Sequence, residues 1–211
     1  MSRLILEKPL VSFDLETTGK DILKDKIVEF AAVKVFPEGE VREARILINP
    51  EIMIPEEATE IHGITNDQVK DEPTFKEVAP QVHEFLVDCI LSGFNINEFD
   101  IPIITRELEK AGFPLNDIVS LDTMAFANKL NPRSLQGRCI QYGVEFDASK
   151  AHGALYDSQK SLELFNKIHS EESAKSEADD DVNASDIISF INGDKVDLAG
   201  KLILIDGVPC F

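Results

Sequence analysis

The sequence predicts an α/β fold built on a five-stranded mixed sheet with helices on both faces. Three observations lead to this class: strand-like segments come first, turn signals separate them, and later strands alternate with amphipathic helices. Apolar residues make up 43% of the 211 positions, enough to bury the core of one domain. We expect that domain at 1–169, an acidic linker at 170–184 and a short strand-rich segment of unassigned role at 185–211.

The first three elements predict an antiparallel meander. Apolar, strand-like patterns cover 9–15, 27–36 and 42–49. Turn signals stand between them, at Gly19 and at 37–39. Strands joined by short turns pair with their neighbours in the chain, so these three should lie side by side.

The later elements alternate between helix and strand. Segment 75–88 places Val78, Val82 and Leu86 on one face, a helical spacing despite Pro80. The remaining elements are a strand at 89–94, a helix at about 100–111, a strand at 118–121, a helix that Asp122 could cap, and helices at about 134–142 and 154–169. A meander followed by β-α-β units predicts a mixed sheet covered on both faces.

The net charge of −18 argues against an ordinary nucleic-acid-binding protein. Proteins that bind nucleic acid without sequence preference normally place Lys and Arg against the phosphates. Composition alone favours an acidic binding protein. If the chain does handle nucleic acid, bound cations must supply the attraction at the site, and long duplexes should bind weakly.

Composition also bears on compartment and partners. No apolar run approaches the roughly 18–20 residues that cross a bilayer, and the N-terminal residues lack the apolar core of a signal peptide. The three cysteines, Cys89, Cys139 and Cys210, are far apart, so neither a disulfide framework nor a zinc site is indicated. We expect a cytoplasmic protein with no membrane partner.

The sharpest local feature is a pair of acids in the first strand. Asp14 and Glu16 stand two residues apart and therefore share a face, while Phe13 and Leu15 point into the core. Two adjacent carboxylates repel each other unless cations bind or a proton is taken up. By itself the pair is weak evidence for a site, because a solvated strand face is the more common explanation.

Two further acids and a histidine stand at element boundaries. Asp100 lies where a predicted strand gives way to a helix, a position at which a helix cap is the alternative. His152 precedes Asp157 by five positions, where a loop enters the last helix of the domain. A histidine in a loop is inert in most proteins, so neither segment predicts a site alone.

Together, the three segments resemble the DEDDh exonuclease family, which includes the proofreading exonucleases of bacterial DNA polymerases. The family takes its name from four acids and a histidine. Its first motif matches Asp14 and Glu16, its second matches Asp100, and its third matches His152 with Asp157. The resemblance runs from residue 9 to residue 168, and five positions in the family's order are far more specific than any one motif.

Two supporting patches and one departure accompany the match. Segments 61–65 (IHGIT) and 121–123 (LDT) match the family as well. A sister subgroup carries Tyr four residues before the last acid, where this chain has Gly153, so His152 decides the subgroup. The departure is Asn95, which stands five residues before the second-motif acid where the proofreading subunits usually have four. The extra residue leaves open whether Asn95 or Asn97 contacts substrate.

The resemblance implies a ribonuclease H-like fold and a two-metal-ion 3′→5′ exonuclease. Two Mg²⁺ or Mn²⁺ ions would be held by Asp14, Glu16, Asp100 and Asp157. His152 would be the general base that takes a proton from the attacking water, a task suited to an ordinary histidine pKa of about 6.5.

The resemblance also implies a pocket for the terminal nucleotide. Its substrate-binding residues would be Thr17, Thr18, His62, Asn95 and Phe99. Stacking on Phe99 would tolerate any base, as an exonuclease without sequence preference requires. Without the family match, Thr17 and Thr18 would be part of a plain turn and His62 a surface side chain.

The expected substrate is the 3′ end of single-stranded DNA, held by metals and stacking rather than by a basic groove. Within the enzyme class the alternative is an exoribonuclease, because related families trim RNA ends with the same five residues. Outside it, the alternative is a catalytically idle subunit that docks on a polymerase through 185–211. A DNA polymerase or another replication or repair protein is the expected protein partner.

Overall fold

The computed structural model describes residues 4–5, 8–126, 134–176 and 203–204. The strands are β1 (Leu4–Ile5), β2 (Leu10–Thr17), β3 (Ile27–Val35), β4 (Val41–Leu47), β5 (Ile90–Gly93), β6 (Val119–Asp122) and β7 (Ile203–Leu204). The helices are α1 (Glu56–His62), α2 (Asn66–Val69), α3 (Phe75–Leu86), α4 (Asp100–Ala111), α5 (Thr123–Phe126), α6 (Leu135–Gln141) and α7 (Ala154–Ser176).

Five strands form one mixed sheet in the order β4-β3-β2-β5-β6. The β4-β3-β2 half is the predicted antiparallel meander, while β5 and β6 run parallel to β2. The predicted fold class is therefore confirmed. Strand β2, which carries the pair of acids, lies at the centre of the sheet, where both of its edges are hydrogen-bonded.

The two faces of β2 contact different layers. Phe13 and Leu15 are buried in the larger core, together with side chains of α3 and α4. Leu10 packs on the opposite face against Leu162 and Phe165 of α7. Because side chains alternate along a strand, Asp14 and Glu16 share the face that α7 covers. Each fully buried apolar side chain contributes about 1.5–3 kcal/mol, so both layers are firmly attached.

Small side chains let the start of α7 approach the sheet closely. The hydroxyl of Ser12 donates to the carbonyl oxygen of Ser158 at 2.9 Å. The hydroxyl of Ser158 in turn lies within hydrogen-bond distance of the carbonyl oxygens of Ala31 (3.2 Å) and Ala154 (2.7 Å). These bonds fix the first turns of α7 over β2 and β3.

Two short helices, α1 and α2, were not predicted from the sequence. Helix α1 has two acids in its first turn and ends at Gly63, which adopts a left-handed conformation with φ of 75°. Helix α2 begins with a capping box between Thr65 and Gln68. These are ordinary start and stop signals, but the helices are too short to show an apolar period.

The end of α7 differs from the prediction. The helix continues to Ser176 rather than ending at 169, so the first residues of the expected linker are helical. The rest of the linker and most of 185–211 lie outside the described residues. Of that last segment the structure describes β7, which pairs antiparallel with β1.

Cys89 and Cys139 are buried free thiols, and Cys210 lies outside the described residues. Within the described ranges, no helix combines the length and apolar character that a membrane span requires.

Candidate active site

Four acids from three elements meet at one end of the sheet. Asp14 and Glu16 are on β2, Asp100 is the first residue of α4, and Asp157 is in the first turn of α7. Burial raises the pKa of Asp14 well above its ordinary value, and the charges of the other three acids raise it further. Side chains far apart in sequence are therefore close in the folded chain, as the hydrogen bond between Asp100 and the backbone of Leu15 also shows.

Glu16 is the most perturbed member with a defined value. Burial raises its pKa to about 9, and the charges of Asp157, Glu29 and Asp100 add to the shift. The strongest charges that act on it all come from carboxylates. The site therefore lacks the positive charge that would let these groups ionise without cost.

Asp100 connects α4 to the strand that carries the pair of acids. Its side chain is buried, and one carboxylate oxygen accepts a hydrogen bond from the backbone N–H of Leu15 at 3.0 Å. Burial raises the pKa of Asp100 to about 8, while the hydrogen bond from Leu15 opposes the shift.

Asp157 has one oxygen bonded and one unpaired. Its Oδ2 accepts a hydrogen bond from the backbone N–H of His152 at 3.0 Å. Its Oδ1 is buried and has no hydrogen-bond partner among the described residues. Burial raises the pKa of Asp157 to about 6, and the backbone and charge of His152 oppose the rise. An unpaired buried carboxylate oxygen is costly unless a ligand completes it.

The donor set fits a hard divalent cation. No group of three His, Cys, Asp or Glu side chains in the described part of the chain is already arranged to hold a metal ion. The oxygen donors, their mutual repulsion and the unpaired Oδ1 of Asp157 are nevertheless what such a cation would satisfy. Its binding would draw the carboxylates closer together.

The backbone of His152 is fixed by a hydrogen bond, whereas its side chain is exposed to solvent. The residue adopts a left-handed conformation with φ of 61°, unusual for a residue other than glycine. Its N–H is bonded to Asp157, as described above, while the side chain is exposed. Strained backbone of this kind is concentrated at functional sites, and here it presents an imidazole beside the acids.

A cleft of about 420 Å³ opens beside Glu16. Its walls come from the end of β2, from α1 and from Phe99: Leu15, Glu16, Thr17, Thr18, Gly19, Lys20, Pro55, Glu57, Ala58, Ile61, His62 and Phe99. Four of the five predicted substrate-binding residues line it. Asn95 does not.

The cleft wall at Thr18 and Gly19 is tightly built. The hydroxyl of Thr18 donates to Asp25 at 2.9 Å. A β-carbon added at Gly19 would lie 2.5 Å from the same carboxylate, so any other residue there would force Asp25 to shift. The guanidinium of Arg106, from α4, donates to the carbonyl oxygens of Ile22 and Asp25. The loop after β2 is therefore fixed from two sides.

His62 lies in the cleft wall, with one ring nitrogen hydrogen-bonded and the other buried. Its Nδ1 accepts a hydrogen bond from the backbone N–H of Ile64 at 3.0 Å, which assigns the proton of the neutral ring to Nε2. Nε2 is buried, and the backbone of Thr17 lies close enough to act on the ring as a hydrogen-bond partner. Burial lowers the pKa of His62, so the neutral ring is favoured.

Asp122 does more than cap a helix. It accepts from the backbone N–H of Met124 at 2.9 Å, as the predicted cap of α5 would. It also accepts from the N–H groups of Asn95 (2.9 Å) and Asn97 (3.1 Å). Asp122 therefore holds the loop that leads to Asp100, and the N–H of Asn95 faces this support rather than the cleft.

Glu29 is the site residue that the sequence analysis missed. It is 1% exposed and pairs with Glu16 across the β2-β3 ladder. The signal was present in the sequence, since Glu29 is a lone acid within a run of apolar residues in β3. A charged residue is almost never fully buried unless it is paired.

The sequence of the chain matches a known protein family and several curated relatives. Residues 11–165 match the model of a protein family described as exonuclease. The epsilon subunit of DNA polymerase III from Aquifex aeolicus is 32% identical over 168 residues, which cover 78% of this chain and 82% of that subunit. The PolC-type DNA polymerase III of Caldanaerobacter subterraneus subsp. tengcongensis is 33% identical over 170 residues, and the chain spans only 12% of that polymerase.

Solved structures share the fold. E. coli exonuclease I in complex with a dT13 oligonucleotide matches 82% of this chain and 43% of its own, with a TM-score of 0.69 and 16% identity. The zinc-bound complex of exonuclease I with single-stranded DNA gives a TM-score of 0.68 over 80% of this chain and 42% of its own, with 18% identity. The family match covers most of the domain, and the chain therefore belongs to the exonuclease family, as the DEDDh resemblance predicted.

Proposed function

We propose that this exonuclease shortens single-stranded DNA from its 3′ end by two-metal-ion hydrolysis, with His152 as the general base. The observation that carries the proposal is the cluster formed by Asp14, Glu16, Asp100 and Asp157 beside an open cleft, in which the charges of Asp100 and Asp157 raise the pKa of both Asp14 and Glu16. Repelling carboxylates of this kind cost stability, so their presence is explained by a bound cation.

Asp14, Glu16, Asp100 and Asp157 would hold two Mg²⁺ or Mn²⁺ ions. When bound, the ions would lower the pKa of the attacking water and neutralise charge on the phosphate oxygens. Asp157 would contribute its unpaired Oδ1. Asp100 would use the oxygen that Leu15 leaves available, since its other oxygen is already bonded.

His152 would accept the proton of the attacking water. Its imidazole is exposed, which permits it to reach a substrate at the mouth of the cleft. Its backbone is fixed by Asp157, so the two residues would move together. A general base must lie within hydrogen-bond reach of the proton that it takes, and this coupling supplies that proximity.

The cleft would hold the terminal nucleotide. Phe99 would stack on the base, and His62 would contact the nucleotide from the cleft wall. Thr17 and Thr18 would place the fixed end of β2 against the terminal sugar. A contact from Asn95 remains a prediction, because this residue does not line the cleft.

A single strand suits the charge of the molecule better than a duplex. With a net charge of −18, the chain would repel a rigid duplex along its length, whereas a flexible end needs only a few contacts. The single-stranded DNA bound by exonuclease I supports the same substrate. The relatives from DNA polymerase III support a polymerase partner.

The test is hydrolysis of 5′-labelled oligonucleotides by the purified chain with Mn²⁺ or Mg²⁺. Single-stranded DNA, blunt duplex DNA and RNA of one sequence should be compared. We expect products shortened stepwise from the 3′ end, fastest on single-stranded DNA, and no activity in Asp14→Asn. Equal rates on single strand and duplex would contradict the substrate, and faster cleavage of RNA would favour the exoribonuclease. An inactive parent protein would favour the idle subunit.

A further inference from the structure

Glu29 is a fifth carboxylate beside the four predicted metal ligands. It stands opposite Glu16 in the β2-β3 ladder and is 1% exposed. Its charge contributes to the raised pKa of both Asp14 and Glu16. A neutral side chain would avoid this added repulsion, so packing alone does not explain an acid here.

The two oxygens of Glu29 contact two different elements. Oε1 accepts from Nε of Arg45 at 2.7 Å. Arg45 is on β4, and its side chain is 58% exposed. Oε2 accepts from the backbone N–H of Ala154, the first residue of α7, at 3.3 Å. The first N–H groups of a helix have no partner within the helix and favour a negative charge, so Glu29 connects the sheet to the start of α7.

The start of α7 carries two of the five predicted catalytic residues. His152 lies two positions before Ala154, and Asp157 lies three positions after it. A hydrogen bond from the backbone N–H of His152 to Asp157 ties the two together. A bond that fixes Ala154 therefore fixes both residues relative to Asp14 and Glu16 on the neighbouring strand.

We propose that Glu29 is a positioning residue that anchors the N-terminus of α7 and thereby sets His152 and Asp157 against the acids of β2. The inference rests on the proposed function of His152 and Asp157. Arg45 orients the Glu29 carboxylate from the other side, which leaves Oε2 directed at Ala154.

The geometry makes a specific prediction for the amide variant Glu29→Gln. An amide has one oxygen and one NH₂ group, whereas both partners of Glu29 are donors. If the oxygen meets Arg45, the NH₂ group faces the N–H of Ala154 and the anchor is lost. Removal of Arg45 would let the oxygen turn to Ala154, so Arg45→Ala should rescue Glu29→Gln.

The test is a double-mutant cycle on the full chain, with kcat and KM measured on a single-stranded DNA oligonucleotide. We expect Glu29→Gln to lower kcat about 10- to 100-fold with KM changed less than about threefold, and the double variant to recover most of the loss. Arg45→Ala alone should lower kcat less than Glu29→Gln does, because the Glu29 carboxylate still has an oxygen for Ala154. Glu43→Ala is the matched control, because Glu43 also bonds α7, through Gln159 at 2.7 Å, but at an exposed position.

Amide exchange at Ala154, followed by NMR, keeps the anchor testable if activity is absent. We expect faster exchange in Glu29→Gln and restored protection in the double variant. Restored protection with an inactive wild type would refute the proposed function and not the anchor. Unchanged kcat in Glu29→Gln, no rescue by Arg45→Ala, or an equal loss in Glu43→Ala would each overturn the positioning role. Should Glu29→Gln fail to fold, Glu29→Asp replaces it, since the shorter acid keeps the charge and loses the reach to Ala154.

Discussion

The carboxylate of Asp100 accepts a hydrogen bond of 3.0 Å from the backbone N–H of Leu15. Leu15 stands between Asp14 and Glu16, so one bond fixes the start of α4 against the strand that carries both acids. Asp100 is thus a predicted metal ligand and at the same time a connection between two elements. Its two roles can be separated, because only one of them requires a negative charge.

Asp100→Asn should abolish most activity without unfolding the protein. The amide oxygen can still accept the hydrogen bond from Leu15. Burial raises the pKa of the Asp100 carboxyl to about 8 because its charged form is costly to bury, and an amide carries no such charge. We expect an unchanged or higher Tm and a fall in kcat of about 100-fold or more. Glu98→Gln is the control, because Glu98 is an exposed acid in the same loop. A comparable loss of activity in the control would contradict a specific role for Asp100.

The metal-free protein should lose stability as pH rises. The folded-state pKa values are about 6 for Asp157, about 8 for Asp100 and about 9 for Glu16, whereas ordinary carboxyl values are about 4. Between about pH 4 and the folded-state pKa of each group, the folded chain holds a proton that the unfolded chain has released. The free energy of unfolding therefore falls as pH rises.

Melting curves in a chelator between about pH 5 and pH 9 check this sign. We expect Tm to fall across that range, Glu16→Gln to make the fall shallower, and Mn²⁺ to raise Tm most at the alkaline end. A Tm that climbs with pH in the chelator would contradict the raised pKa values.

Loss of Asp122 should release the loop before α4. Its carboxylate accepts three backbone N–H groups, those of Asn95, Asn97 and Met124. The N–H groups of Asn95 and Met124 share one carboxylate oxygen, and that of Asn97 uses the other. Asp122→Asn therefore keeps the hydrogen bonds to one oxygen, whereas Asp122→Ala loses all three. We expect kcat/KM to fall about tenfold or more in the alanine variant and less in the asparagine variant. Equal losses in the two variants would show that the charge of Asp122, which both variants remove, matters more than its hydrogen bonds.

Gly93 should not tolerate alanine. A β-carbon there would lie 2.6 Å from the carbonyl oxygen of Phe13 and 2.2 Å from Cγ2 of Ile96. The Ile96 side chain can be shortened, but the Phe13 backbone cannot move away from the centre of the sheet. We expect Gly93→Ala to destabilise the protein by about 2 kcal/mol or more, and to remain destabilising, though less so, in an Ile96→Ala background that removes Cγ2. If Gly93→Ala caused no further loss of stability in that background, measured by chemical denaturation, the backbone clash would be refuted.

Much of the fold and of the site could be predicted because the relevant signals are local. The spacing of Asp14 and Glu16 in β2 fixes their common face, and the apolar period of α3 overcomes Pro80 because a capping box at Thr74 stabilises the helix start. Family resemblance then assigned the distant acids and the histidine, which no local pattern could have brought together.

The missed features depend on tertiary contacts. Helix α1 forms a wall of the cleft through Ile61 and His62, yet it spans only Glu56–His62, too short for periodicity to reveal. The roles of Glu29 and Asp122 come from N–H groups 125 and 27 residues away in sequence. A predicted buried acid indicates that the carboxylate has hydrogen-bond or charged partners, but the sequence does not identify them.

Metal binding by the four acids is best tested by anomalous diffraction from crystals soaked with Mn²⁺ and a nucleoside monophosphate. We expect manganese within about 2.5 Å of carboxylate oxygens of Asp14, Glu16 and Asp157, a second ion toward Asp100, and the nucleotide in the cleft beside Phe99. Crystals with ordered nucleotide and no manganese at these carboxylates, or with manganese bound only elsewhere on the chain, would contradict it.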